Sequence, residues 1–127
     1  MRRYLRILSA MRRRPGTLIP LEIAILEAGL DLRGGGTQEF HGFLLAKHIR
    51  DGEGARRLTA HGTLYRSLSR LERAGLLESR WEDPQTAADE GRPLRRLYKI
   101  TAAGEAALGK AKEAALAARR LEKRAEA

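Results

Sequence analysis

The stretch "HGTLYRSLSRLERAGLL", residues 61–77, decides how the chain is read. Leu64, Leu68 and Leu71 recur at i, i+4 and i+7, the spacing that puts three side chains on one face of an α-helix. Thr63, Tyr65, Arg66, Ser69, Arg70 and Arg73 fall on the remaining surface, and Gly75 ends the pattern. Thr59 is the expected N-cap. A helix with one apolar side and one arginine-rich side is either an ordinary solvated surface helix or one shaped to lie in a nucleic-acid groove. Its neighbours must decide.

Downstream, "LLESRWED" (76–83) and "LRRLYKI" (94–100) alternate like strands, with Tyr98 and Ile100 on one face and Leu97 and Lys99 on the other. The polar "PQTAADEGRP" (84–93) between them is expected to be a long, mobile hairpin tip. Upstream, "LIPLEIAILEAG" (18–29) predicts a helix with Pro20 in its first turn and Gly29 as its stop. "LDLRGGGTQE" (30–39) reads as a loop whose glycines lack the Lys-Ser/Thr partner of a phosphate-binding loop. "EFHGFLLAKHIRD" (39–51) reads as a helix with Phe40, Phe43, Leu44 and Ile49 as its apolar patch. Gly42 inside that helix implies close approach by another element. Residues 2–14 place Tyr4, Ile7, Leu8 and Met11 on one side of a basic amphipathic helix that stops at Pro15-Gly16. Thr101 is expected to cap a last helix, rich in Ala, Glu, Lys and Arg.

Helices followed directly by a two-stranded hairpin define a winged helix: mainly α, with a three-helix helix-turn-helix core, a hairpin wing and flanking terminal helices. The expected divisions are residues 1–15, 16–100 and 101–127, the last being the C-terminal helix. In this arrangement the helix at about 60–74 is the one that reads DNA. A major groove about 12 Å wide admits one helix, and arginine can bond guanine O6 and N7 together. His61, Gly62, Thr63 and Tyr65 would meet phosphates at the start of the helix, where free N–H groups and the dipole favour an anion. Arg66, Ser69 and Arg70 would follow in the groove. Arg92, Arg95 and Arg96 would carry the wing, residues 83–95, to the adjacent minor groove or backbone, tempered by Asp83, Asp89 and Glu90.

Charge agrees. The chain has 127 residues and a formal net charge of +9, which favours a polyanionic partner. It has no cysteine, which excludes disulfides and thiolate chemistry. No apolar run approaches the roughly 20 residues of a membrane span, and the charged N-terminus is unlike a secretion signal. A bacterial cytosolic protein associated with the nucleoid is expected, with no membrane partner. His41 and His48 stand seven apart, too far for the i, i+4 zinc pair, so neither metal nor cofactor is expected. No Ser/His/Asp set or paired carboxylates suggest an enzyme. Trp81 on the first strand reads as core packing rather than an effector site.

"FHGFLLAKHI" (40–49), "GTLYRSLSRLERAGLLESRWED" (62–83) and "GRPLRRLYKITAAG" (91–104) resemble, in order, the signature segments of PadR-type transcriptional regulators. The resemblance implies a winged helix, dimerisation through the C-terminal helix, and usually repression of transcription. It puts Gly62, Thr63, Tyr65 and Arg66 at the DNA-contacting start of the recognition helix and Arg92 and Arg95 on the wing. Some members bind small aromatic molecules, but no such site is expected here. A homodimer would face a pseudo-palindromic operator. Its seam would use Leu108, Ala115, Leu116 and Leu121. Tyr4, Ile7, Leu8 and Met11 would supply apolar surface that an alanine-rich helix lacks, by interleaving with the partner's C-terminal helix. The competing readings are a winged helix that binds protein instead of DNA, and a membrane-surface role for residues 2–14.

Overall fold

The structure, a computed structural model, describes residues 17–51 and 61–126. The elements run α1 (Pro20–Gly34), α2 (Gly42–Asp51), α3 (His61–Arg73), β1 (Leu77–Trp81), α4 (Pro84–Asp89), β2 (Arg96–Ile100) and α5 (Ala102–Glu126). The order is that of a winged helix. The expected N-terminal helix, with Tyr4, Ile7, Leu8 and Met11, lies outside the described residues, as does Thr59.

The core forms where α1, α2, α3 and the inner face of the hairpin meet. Ile25 and Leu26 of α1, Leu45 of α2, and Leu64, Leu68 and Leu71 of α3 are fully buried there. β1 and β2 are antiparallel, with Leu77 opposite Ile100, Ser79 opposite Tyr98 and Trp81 opposite Arg96. Side chains alternate across a sheet, so residues 77, 79 and 81 share the inner face with 96, 98 and 100. Phe40 adds one more rung: it exchanges both backbone hydrogen bonds with Tyr98, at 2.9 and 2.8 Å, and stacks on that ring.

Five expectations are corrected, the last of them on α5. Helix α1 does not stop at Gly29. That residue is buried inside the helix, where the Phe40 ring leaves little room: a Cβ would lie 3.1 Å from it. The helix runs on to Gly34, and Gly36 at φ +98° supplies the left-handed residue that ends it. The amides of Gly36 and Thr37 bond back to Arg33 and Leu32. On α2, Leu45, Ala46 and Ile49 point inward and Phe43 outward, with Phe40 buried ahead of the helix. The hairpin tip is no open loop, because residues 84–89 form α4, with Pro84 in its first turn and the Asp83 carboxylate accepting the Gln85 N–H at 3.0 Å. Ala87 of α4 is buried. Trp81 is not core: it stands on the last rung of the hairpin, opposite Arg96, and is 56% exposed.

Helix α5 begins on the turn that ends α3. Thr101 donates its hydroxyl to the Gly75 carbonyl at 2.7 Å and accepts the Gly104 N–H at 3.0 Å. Leu108 is the last α5 residue in the core. It was expected at a dimer seam, but the protomer itself buries it. Beyond it the helix stands clear, with Ala115, Leu116 and Leu121 exposed. Among the described residues no helix is long and apolar enough to cross a membrane.

Candidate nucleic-acid interface

Helix α3 is fixed from behind. Leu64, Leu68 and Leu71 are at most 1% exposed, and Ser67 between them is buried as well. The buried set 64, 67, 68, 71 is a full helical stripe, so the helix cannot roll without exposing leucines. Gly75 at φ +78° ends it, and Leu76 donates its N–H to the Leu71 carbonyl.

The front of α3 is open. Tyr65, Arg66, Ser69, Arg70 and Arg73 are exposed and Thr63 is half-buried. His61 and Gly62 occupy the first turn. Arg66 donates to the Thr63 hydroxyl at 3.3 Å, which leans its guanidinium toward the start of the helix. Tyr65 lies against Gly42: a Cβ on that glycine would come 2.8 Å from the phenol oxygen. Gly42 opens α2 rather than lying inside it, and it still seats a side chain of α3, the close approach expected of it.

Arg70 is different. Its Nη1 lies 3.6 Å from Oε2 of Glu22, a carboxylate on α1 that is 1% exposed and whose other oxygen accepts the Ile19 N–H at 3.0 Å. Arg70 therefore ties α3 to the start of α1. Glu22 had a sequence signal, since it stands two residues after a first-turn proline, in the first turn of the helix where a carboxylate can reach back to a free amide.

The three wing arginines divide. Arg92 is largely buried and grips Glu82 with both terminal nitrogens, while its Nε bonds Glu90. Arg96 is held by Glu72, Ser79 and Trp81. Arg95 uses its backbone N–H on Glu82 at 2.8 Å, and its side chain makes no ion pair among the described residues. Sequence spacing puts Arg95 and Arg96 on opposite faces of β2 but does not say which of the three arginines is paired; Glu82 and Glu90 of the wing and Glu72 of α3 decide that.

Glu82 organises this end. The Arg92 guanidinium, aided by the Arg95 amide, outweighs burial and holds its carboxyl at about 2, against an ordinary 4.5. A depressed folded-state pKa stabilises wherever the carboxylate is charged in both states, and that contribution fades as pH falls below 4.5 toward 2. Glu82→Gln is therefore expected to melt below wild type at pH 7, and the gap should close as the pH is lowered through that window. Thermal melts at stepped pH check this; a constant gap refutes the assignment. Nearby, burial, together with Arg95 and Arg92, lowers the pKa of His41, and its Nδ1 accepts the Leu44 N–H at the start of α2. Only a neutral ring can accept there.

A second surface lies between α1 and the exposed half of α5. A groove of about 770 Å³ is lined by Leu18, Ile23, Ala107, Ala111 and Ala114, and a neighbouring one of about 380 Å³ by Ile23, Ala115 and Leu116. Among the described residues no group of three His, Cys, Asp or Glu could hold a metal.

The sequence model of the transcriptional regulator PadR-like family matches residues 35–110, well over half of the chain. Comparison with curated proteins finds no match. Solved structures share the fold. A PadR-like transcription factor from Bacteroides fragilis is 28% identical, with 96% of this chain and 99% of that one covered and a TM-score of 0.59. A PadR family transcription regulator from hypervirulent Clostridium difficile is 21% identical, covering 84% of this chain and 98% of that one with a TM-score of 0.62. One from Eggerthella lenta is 23% identical, covering 99% and 98% with a TM-score of 0.56.

Proposed function

We propose that this chain, which belongs to the PadR-like family of transcriptional regulators, is a homodimeric repressor that recognises a pseudo-palindromic operator. In this reading α3 enters the major groove and the wing lies on the adjacent minor groove or backbone. The observation that carries it is the two-sided character of α3: three leucines buried behind, and exposed Tyr65, Arg66, Ser69 and Arg73 in front. Thr63, Tyr65 and the first-turn residues His61 and Gly62 meet phosphates, Arg66 and Ser69 meet base edges, and Arg95 meets the backbone beside the wing. Arg70 and Arg92, engaged by carboxylates, hold α3 and the wing in place. Selecting bound fragments from the source genome tests the reading. Expected is a set sharing an inverted repeat, with half-sites about one helical turn or a multiple apart. Fragments without a common motif, bound no better than random DNA, would favour the interaction-module alternative.

The groove beside α5 supports dimerisation. Leu116 and Leu121 are 51% and 66% exposed on a stretch of helix whose other apolar residues are alanines, and an alanine face buries little area. The seam therefore joins this half of α5, through Ala115, Leu116 and Leu121, to the partner. Tyr4, Ile7, Leu8 and Met11 add the apolar area that α5 lacks. Leu116→Glu with Leu121→Glu is expected to give monomers by light scattering and to cost most of the operator affinity. A chain lacking residues 1–14 that stays fully dimeric would remove the N-terminal contribution.

A further inference from the structure

The inner face of the hairpin carries a chain of contacts that no base or phosphate is needed to explain. Glu72, in the last turn of α3, accepts the hydroxyl of Ser79 on β1. The same Ser79 oxygen accepts Nε–H of Arg96 at 3.0 Å, and Nη2 of Arg96 lies 3.6 Å from the Glu72 carboxylate. A hydroxyl can donate once while it accepts, so the three groups close a triangle. The guanidinium then lies over the Trp81 ring, 5.2 Å from its centroid, in the position expected of a cation–π pair. Trp81 and Arg96 face each other across the strands at the end of the hairpin that leads to α4. The contacts run from the recognition helix, through both strands, to the base of the wing.

We propose that Glu72, Ser79, Arg96 and Trp81 form a strut that sets the angle of the wing against α3, and that Arg96 serves DNA binding by positioning rather than by touching a phosphate. The proposal rests on the regulator reading above. Its physical logic is geometric. A hairpin of two strands is marginal by itself, and beyond Ser79 the inner face no longer rests on the core: Trp81 is exposed and Arg96 only half-buried. Without the triangle, only the Arg80–Glu39 pair on the outer face would tie this end of the hairpin to the body, the wing would tilt, and α3 and Arg95 would no longer reach one duplex together. Arginine suits the post because one planar group can bond a hydroxyl and a carboxylate at its edge while stacking on an indole with its face. Lysine cannot do both.

Glu72→Gln separates the possibilities by sign. Removing an acid beside a DNA-binding face strengthens binding if only charge matters; loss of the strut weakens it. Expected is a tenfold loss of affinity for a selected operator fragment, with affinity for random DNA and the salt slope unchanged. Arg96→Lys, which keeps the charge, is expected to lose as much operator affinity as Arg96→Ala, again with the salt slope unchanged. Trp81 is the chain's single tryptophan, so acrylamide quenching of its emission reads the strut without DNA, and quenching should rise in both variants. Operator binding by Glu72→Gln as tight as wild type or tighter, or full rescue by Arg96→Lys, overturns the strut alone. A wild-type chain that selects no fragment overturns the regulator reading, and the strut's role with it, whatever the fluorescence shows.

Discussion

Replacing Gly104 by alanine is expected to lower the melting temperature by about 10 °C or more, a loss of about 3 kcal/mol. The glycine sits in the first turn of α5, pressed against the turn that ends α3. A Cβ there would overlap the Leu76 carbonyl oxygen and come 2.8 Å from Cγ1 of Ile100. The carbonyl cannot swing aside cheaply, because it accepts the Thr101 N–H at 3.2 Å. Thr101 in turn is bonded to Gly75 and to Gly104 itself. The whole start of α5 must therefore lift, and it takes Leu108, one turn further on, out of the core. Gly109 is the control. It lies in the same helix with nothing within 4 Å of its would-be Cβ. Gly109→Ala should stabilise by roughly 0.5–1 kcal/mol through helix propensity. Melts followed by circular dichroism compare the two, and equal melting temperatures would show that the contact with Leu76 yields.

Gly104 also marks where sequence reasoning stops. It stands in a signature segment, yet nothing in its neighbours announces a carbonyl against its Cα, since that contact comes from a turn nearly thirty residues earlier. The leucines of α3 were legible because helical period alone puts them on one side, and Gly75 because a helix of that register needs a stop there. Gly29 misled for the same kind of reason. It has the look of a stop, but the Phe40 ring claims the space above it and the helix continues beneath. The polar residues of α4 suggest a mobile tip. What holds it is the Asp83 cap, the burial of Ala87 and the grip of Arg92 on Glu82 across its ends. Residue type puts Trp81 in the core, but it stands on the hairpin's last rung, facing Arg96 rather than an apolar partner, and stays exposed. Leu108 shows the converse, since periodicity cannot tell a protomer's own core from a partner's surface. For the candidate interface, the outward residues of α3 were legible as a set. Which of its arginines, and of those on the wing, are already paired was not, because Glu22, Glu72 and Glu82 approach them from other elements.

That pairing sharpens the second large effect. Arg66→Ala is expected to weaken operator binding by about tenfold to a hundredfold, the equivalent of the 1–3 kcal/mol that a bidentate guanine contact confers. Arg70, Arg92 and Arg96 each face a carboxylate, so a base would have to compete with an ion pair for them. Among the described residues Arg66 has only the Thr63 hydroxyl, a neutral partner at 3.3 Å that orients the guanidinium without neutralising it. Behind it, Leu64 and Leu68 are wholly buried, so a change at Arg66 has no means of tilting the helix. The loss must therefore fall on discrimination. Binding to random DNA should decline only by what one positive charge contributes, and Arg66→Lys should restore that part and leave the operator preference reduced. Arg95→Ala is the matched comparison. A backbone contact carries no sequence information, so it should weaken operator and random DNA alike and lower the salt slope by about one. Fluorescence anisotropy on both DNAs at several salt concentrations separates the two patterns. Equal loss on operator and random DNA for Arg66→Ala would move base reading away from this arginine, toward Ser69 or Arg73 on the same exposed face.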